Sequence, residues 1–348
     1  EMCIRDRNAE VLSMIDIKLL EQLCLCNGIS GDEGNVRNLI INEIKDCADD
    51  IKTDNLGNLI VFKKGKKSAK SKLMVSAHMD EVGLMVTDIT SDGYLKFDEV
   101  GGIDRRVLPG KRVCVGRNGL NGVIGVKPIH LTNGDEKTAV PKMNDMYIDI
   151  GAESREDALK YVNYGDGINF EGDFKINSKT VVTKALDDRF GCYVLINLIK
   201  SEPEYDMYFT FVVQEEVGLR GARPAAFTVN PDFALVIEST TAADVAEVDA
   251  SHQVCNLSKG ATVTVMDRAT VYDKEMINAA FELAEKNNIS VQYKRAVAGG
   301  NDSGAIHQSR GGVRTLAVSL PSRYIHAPST AANLDDCESV LKLAKILS

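Results

Sequence analysis

The sequence predicts an α/β fold, a mixed and largely parallel sheet flanked by helices, interrupted by an inserted β-rich domain. Three observations carry this. Short apolar runs recur at Lys72–Ala77, Tyr208–Val213, Phe233–Ile237 and Thr315–Leu320, and near-continuous runs of this length mark strands buried on both faces. Segments with helical spacing fall between several of them, as connections between parallel strands require. From Val82 to about Phe170 the texture changes to short alternating pieces rich in glycine, as at Gly101, Gly102, Gly110, Gly116, Gly119, Gly122 and Gly125. Such a shift marks an insertion.

The elements follow in order. Leu19, Leu20 and Leu23 lie on one face of a helix that stops at the turn Asn27-Gly-Ile-Ser-Gly31. Val36, Leu39, Ile40 and Ile44 predict a second helix over about Glu33 to Asp46. Asp54-Asn-Leu-Gly leads into a strand reaching Phe62, and the lysine-rich stretch Lys63–Lys72 reads as a solvated loop. A further helix opens at Asp187-Asp188 and continues through Cys192, Leu195, Ile196 and Ile199. Residues 1–13 read as a non-native extension before Met14, because Glu1-Met-Cys-Ile-Arg-Asp-Arg7 resembles a translated sequencing adapter. The main unit is then residues 14–81 and 171–348, with residues 82–170 inserted.

Composition narrows the function. The 348 residues carry 41 Lys and Arg against 50 Asp and Glu, a net charge of −9, which disfavours nucleic acid and anionic membrane surfaces as partners. No run approaches the roughly 18 apolar residues of a membrane-spanning helix. The eight cysteines have no Cys-x-x-Cys spacing, as expected of reduced structural thiols in a cytoplasmic protein.

Several apolar runs end in potential metal ligands, and function in open parallel sheets gathers at those strand ends. The first cluster is His78-Met-Asp80, where a two-residue spacing projects both side chains the same way and Asp80 is placed to hold the imidazole. Asp187 and Asp188 open a helix, so one can cap or pair while the other points into a site. Glu215 and Glu216 are adjacent after a strand and must face different directions, leaving one for metal and one for protons. Glu238 ends another run, and His326 sits in Tyr324-Ile-His-Ala-Pro328. Two histidines with several carboxylates suit a hydrolytic divalent-metal site better than a structural zinc site. The spacing leaves the number of metals open. Neither a Gly-x-Ser-x-Gly elbow nor a P-loop is present.

His78-Met-Asp-Glu-Val-Gly83, Ala185-Leu-Asp-Asp-Arg189, Gln214-Glu-Glu-Val-Gly218, Gly299-Gly-Asn-Asp-Ser-Gly304 and Arg323-Tyr-Ile-His326 resemble, in the same order, the motifs of the M42 family of metallo-aminopeptidases, the glutamyl and leucyl, tetrahedral type. Gly122–His130 and Tyr147–Ala152 match that family's inserted domain. The similarity runs from about Ile15 to the C-terminus. It implies the binuclear-metal aminopeptidase fold, with the main unit catalytic and the insertion serving oligomerisation. It implies two divalent ions, zinc or cobalt, bridged by Asp187: one completed by His78 and Glu238, the other by Glu216 and His326. Glu215 would be the general base and Asp80 would orient His78. Glu238 departs from the family, where Asp is commoner. The implied activity is removal of N-terminal residues from peptides with a free N-terminus, by a homo-oligomer, up to a dodecamer. The alternatives are a deacylase or other amidohydrolase on the same centre and a glycoside hydrolase, a label some members carry. His130, His252 and His307 match no ligand position and read as structural or surface residues, with His307 close enough to Asp302 in sequence to line the site.

Overall fold

The computed structural model describes residues 15–348. The extension read at residues 1–13, and Met14, lie outside the described residues. The strands of the first half are β1 (Asp50–Thr53), β2 (Leu59–Lys63), β3 (Leu73–His78), β4 (Gly83–Ile89), β5 (Leu95–Val100), β6 (Arg112–Val115), β7 (Leu120–Val126), β8 (Met146–Asp149) and β9 (Gly167–Phe170). Those of the second half are β10 (Lys175–Asn177), β11 (Thr180–Thr183), β12 (Met207–Val212), β13 (Phe233–Thr241), β14 (Ala261–Val263), β15 (Val291–Tyr293), β16 (Arg314–Arg323) and β17 (Thr330–Asn333). The helices are α1 (Ile17–Leu25), α2 (Gly34–Ile44), α3 (Arg155–Ala158), α4 (Leu186–Lys200), α5 (Ala222–Val229), α6 (Lys274–Lys286), α7 (Ser303–Ile306) and α8 (Leu334–Leu347).

The four apolar runs are β3, β12, β13 and β16, and they lie side by side as the parallel centre of an eleven-stranded mixed sheet ordered β1-β2-β12-β3-β13-β16-β17-β11-β10. Antiparallel neighbours extend it on both sides, and β14 with β15 joins through β16. The central strands are buried almost end to end, as their composition requires. Helix α4 packs across β3 and β13. Its apolar residues interleave with α1 and α2, and α8 covers β16. Helix α1 begins where Asp16 accepts from the Leu19 N–H at 3.1 Å, and α6 where Asp273 accepts from the Met276 N–H at 3.0 Å, the usual N-terminal caps. Helix α2 ends at Ile44, two residues before the expected Asp46.

Strands β4 to β9 close a six-stranded antiparallel barrel, ordered β4-β5-β8-β7-β6-β9 with β9 returning to β4. It has its own core, including Leu84, Phe97, Val113, Ile148 and Ile168, separate from that of the main sheet. The chain enters it at Gly83, where a β-carbon would lie 2.2 Å from Ile29 and 2.7 Å from the Ile168 carbonyl. Only glycine lets β4 pass so close to both. Among the described residues no helix is long and apolar enough to cross a membrane.

Candidate active site

Loops diverge at the carboxyl ends of parallel strands and leave a crevice there, and four adjacent strands deliver side chains to it. His78 is the last residue of β3, Glu215 and Glu216 follow β12, Glu238 lies in the second half of β13, and His326 follows β16. Asp187 comes from the start of α4. The backbone at this rim is held in left-handed conformations at Ala185, Gln214, Tyr324 and His326 (φ of 54°, 57°, 62° and 60°), and non-glycine residues keep such angles only where their surroundings enforce them.

These side chains form two groups around Asp187. Nε2 of His78 lies 3.3 Å from Oδ1 of Asp187 and 3.4 Å from Oε1 of Glu238. Nε2 of His326 lies 3.1 Å from Oε2 of Glu216 and 3.6 Å from Oδ2 of Asp187. The two oxygens of Asp187 thus face different imidazoles. Within each group, one ligand atom per residue can be chosen so that all lie within 4.8 Å of one another. A third grouping joins His78, Glu215 and Glu216, although Oε2 of Glu215 stays 3.9 Å from His78. Adjacent glutamates therefore face different imidazoles.

The neighbouring Asp188 does a different job. Its carboxylate accepts from the Gly191 N–H at 3.0 Å and the His78 N–H at 3.3 Å, capping the regular part of α4 and tying it to β3. A β-carbon at Gly191 would sit 2.2 Å from that carboxylate, so this cap depends on glycine.

Asp80 is fully buried, and the atom nearest the His78 Nδ1 is its carbonyl oxygen at 3.1 Å, with the carboxylate at 3.5 Å. The carboxylate itself accepts from the N–H groups of Glu215 and Glu216 at 3.0 and 3.1 Å and from the Ser30 hydroxyl at 2.6 Å. It holds both ends of the site at once, the imidazole on β3 and the glutamate pair after β12.

The electrostatics are those of crowded carboxylates in a dry place. Burial pushes the Glu238 carboxyl up to about 8, with Asp187 nearby adding to the rise. Burial likewise raises Glu215 well above the usual range, and Glu238 and Asp302 add to it. Burial alone would lower His326, but the carboxylates of Asp187 and Glu216 outweigh it and push the imidazole up to about 11. Asp187 is held well below the usual range because His326 and His78 outweigh its burial. Its Oδ1 is nonetheless buried without a hydrogen-bond partner, an orphaned acceptor of the kind a cation would satisfy. Imidazole and carboxylate donors around a shared carboxylate therefore fit divalent cations.

Several residues here carried no assigned role in the sequence. Glu81 is buried between two cations, 2.8 Å from the Lys184 ammonium and 3.3 Å from the Arg189 guanidinium. Arg189 is fully buried and also donates to the carbonyls of Met79, Leu23, Cys26 and Gly28, binding β3 and the end of α1 to α4 behind the site. Lys184 and Arg189 flank Leu186-Asp-Asp188, and Glu81 follows Asp80, which is the only signal the sequence held. Asp302 is buried with neither oxygen partnered, and burial raises it to about 7. His307 gives its Nδ1 to the Ser303 carbonyl at 2.7 Å and is not among the residues lining the cavity. His130 and His252 lie on short surface turns.

The family profile described as M42 glutamyl aminopeptidase matches residues 57–343. The chain belongs to the M42 family. A lysyl aminopeptidase of Pyrococcus furiosus is 34% identical over 346 residues, covering 96% of this chain and 97% of the relative. A TET aminopeptidase from the marine sediment archaeon Thaumarchaeota archaeon SCGC AB-539-E09 superposes with a TM-score of 0.91 at 33% identity, covering 95% of each chain. The TET1 peptidase of Pyrococcus horikoshii, described as assembling into a tetrahedron or a large octahedral shell, gives 0.84 at 39% identity over 95% of this chain and 98% of that one. As an M42 member the chain is a peptidase, with its sheet, helices and separate barrel those of TET aminopeptidases.

Proposed function

We propose that this chain removes N-terminal residues from peptides with the help of two divalent cations, zinc or cobalt, one held by His78, Asp187 and Glu238 and the other by Asp187, Glu216 and His326. The observation that carries this reading is the pair of donor groups sharing Asp187, one oxygen facing each imidazole. When bound, such cations polarise the scissile carbonyl and make a water acidic enough to attack at neutral pH. Glu215 stands farther from His78 than Asp187 or Glu238 does, and it takes the proton of the attacking water and returns it to the leaving amine. Asp80 positions His78 and the two glutamate amides. The α-ammonium of a peptide suits a cavity lined by Asp187, Glu215, Glu216 and Glu238, whereas an acetylated terminus brings no positive charge.

The barrel exposes Ile129, Leu131 and Val140 at 70%, 58% and 44%, which supports an oligomerisation role for residues 82–170 and a homo-oligomer of up to twelve chains. The seven cysteines among the described residues are all free, which supports a cytoplasmic setting. The test combines metal analysis with aminoacyl p-nitroanilide and N-acetylaminoacyl substrates. Asp187→Ala should lose both ions and all activity, whereas His78→Ala should mainly lose one. Two tightly held ions per chain in Asp187→Ala, or preferred cleavage of acetylated substrates, would overturn the reading. A monomer in light scattering with metal present would remove the assembly.

A further inference from the structure

The four main-chain N–H groups from Val213 to Glu216 are taken, one after another, by side chains of other elements. Oδ1 of Asn58, directly before β2, accepts from Val213 at 2.9 Å, and Oε1 of Glu33 accepts from Gln214 at 3.2 Å. The two oxygens of Asp80 accept from Glu215 and Glu216 at 3.0 and 3.1 Å. All three holders are buried, Asn58 and Asp80 completely and Glu33 with 4% exposure. Glu33 has no part in the centre described so far. It stands immediately before α2, yet its side chain makes no bond that caps that helix. Its Oε1 turns instead to the Gly31 N–H at 2.7 Å and to Gln214. The Ser30 hydroxyl in the same segment donates to Asp80 at 2.6 Å. The connection between α1 and α2 therefore reaches the turn after β12 twice, directly through Glu33 and indirectly through Asp80.

Gln214 is where that turn needs holding. Its φ is 57°, and a left-handed glutamine persists only where its surroundings enforce it. The peptide before it is fixed through Glu33 and the peptide after it through Asp80. With the first hold removed, the strained residue is free to relax and the chain beyond it turns with it. Glu216 has a second anchor, since its Oε2 lies 3.1 Å from Nε2 of His326, whereas the closest approach of Glu215 to an imidazole is 3.9 Å. Glu215 depends on the backbone for its place. Resting on the aminopeptidase reading above, we infer that Glu33 is a positioning residue for the general base, holding Gln214 in its left-handed turn so that the Glu215 carboxylate faces the attacking water. Glu33 does not line the cavity that holds Glu215 and Glu216, so it acts only through the backbone. What Gln214 requires is an acceptor at that point rather than a charge. Glutamine keeps an acceptor oxygen at the same reach, and aspartate keeps the charge but falls one methylene short.

The experiment compares wild type, Glu33→Gln, Glu33→Asp and Glu33→Ala, each loaded with zinc or cobalt, on leucyl, glutamyl and lysyl p-nitroanilides, with bound metal determined for every variant. Hydrogen exchange over residues 212–219 is followed in parallel by mass spectrometry. In Glu33→Ala and Glu33→Asp, kcat should fall on the order of 10- to 100-fold while KM stays within about threefold and bound metal is unchanged. Glu33→Gln should stay within about threefold of wild type in kcat. Exchange across the turn should quicken on the order of tenfold in the alanine and aspartate variants and not in Glu33→Gln. Wild-type kcat in Glu33→Ala, even with a lower urea midpoint, would overturn the inference, because the carboxylate would then only brace the fold. So would a Glu33→Gln as slow as Glu33→Asp, which would make the charge decisive, or loss of metal in Glu33→Ala, which would place the effect on Glu216. If Glu33→Ala does not fold, the contrast between Glu33→Gln and Glu33→Asp decides alone. Failure of the wild type to cleave any of the three substrates would instead refute the proposed function. Exchange then still decides: quickening confined to the turn in Glu33→Asp and absent from Glu33→Gln sustains the hold of Glu33 on Gln214, and unchanged exchange overturns it.

Discussion

Asp80→Ala tests whether one buried carboxylate organises the whole centre. In the wild type its oxygens satisfy three donors, the Glu215 and Glu216 N–H groups and the Ser30 hydroxyl. Alanine orphans all three at once. Each unsatisfied buried donor costs about 1–3 kcal/mol, and since two of these are only partly buried, water entering the vacated space offsets part of the sum. The expected loss is about 3–5 kcal/mol, read as a shift of the urea midpoint at constant slope. Ser30→Ala removes one donor together with its hydroxyl and should lose only about 1 kcal/mol. Asp80→Ala also frees the peptide that carries the glutamate pair, and misplacing a catalytic group by about 1 Å lowers rates on the order of 100-fold. Asp80→Asn should fall between, because an amide has one acceptor oxygen where the carboxylate has two. If Asp80→Ala lost less than about 1 kcal/mol and retained wild-type kcat, its carboxylate would not be what positions Glu215 and Glu216.

Glu215→Gln should keep both metals and lose on the order of 10² to 10⁴ in kcat, whereas Glu216→Gln should shed metal as well; metal analysis showing the reverse would exchange their roles. Glu81→Ala leaves Lys184 and Arg189 buried without their shared counter-charge and should cost about 3–5 kcal/mol, partly recovered in Glu81→Ala/Lys184→Met, by denaturant unfolding. The Arg314 guanidinium beside Asp273 holds its carboxyl down at about 2. A depressed folded-state value means that this group adds stability above roughly pH 4 and loses it as pH falls through 2. Asp273→Asn keeps the cap on α6 but not the charge, so it should be less stable than wild type by about 1 kcal/mol at pH 6, after screening at this near-surface position. The gap should shrink from about pH 4 and close as pH falls below 2, and a constant gap across that range would refute the ionic origin.

The central strands were legible because parallel strands covered on both faces must be apolar throughout, and Phe233–Ile237 or Tyr208–Val213 has no other comfortable place. The edges were not. Strand β17 is Thr330-Ala-Ala-Asn333, with little intrinsic preference for extended structure, and it pairs because β16 and β11 lie on either side of it. Similarly, closure of the barrel through β9 and β4 joins residues more than eighty apart, which local pattern does not encode. Within the site, side chains at the ends of apolar runs stood out, and His78, Glu215, Glu216, Glu238 and His326 do come together around Asp187. What stayed hidden is pairing across elements. Glu81, Lys184 and Arg189 look like ordinary surface charges in the sequence, and only the fold shows that both cations share the one carboxylate while almost wholly buried.

The two charge systems explain each other. Behind β3, Glu81 is shared by Lys184 and Arg189, and Arg189 spends its remaining donors on four main-chain carbonyls. That layer needs no ligand and can be rigid. In front of β3, Asp187, Glu215, Glu216 and Glu238 face two imidazoles within a few ångströms; burial, with neighbouring carboxylates adding to it, raises Glu215, Glu216 and Glu238, while the two imidazoles hold Asp187 down. Left alone, such a cluster would relax by turning its side chains away from one another. It is prevented from doing so by the hydrogen-bonded layer of Glu81, Lys184 and Arg189, by the hold of Asp80 on both glutamate amides and by left-handed residues at Ala185, Gln214 and His326. The fold therefore keeps an excess of negative charge in fixed positions. In the reading proposed above, an excess that cannot relax would hold cations strongly, because the reorganisation that weakens binding has already been removed by folding.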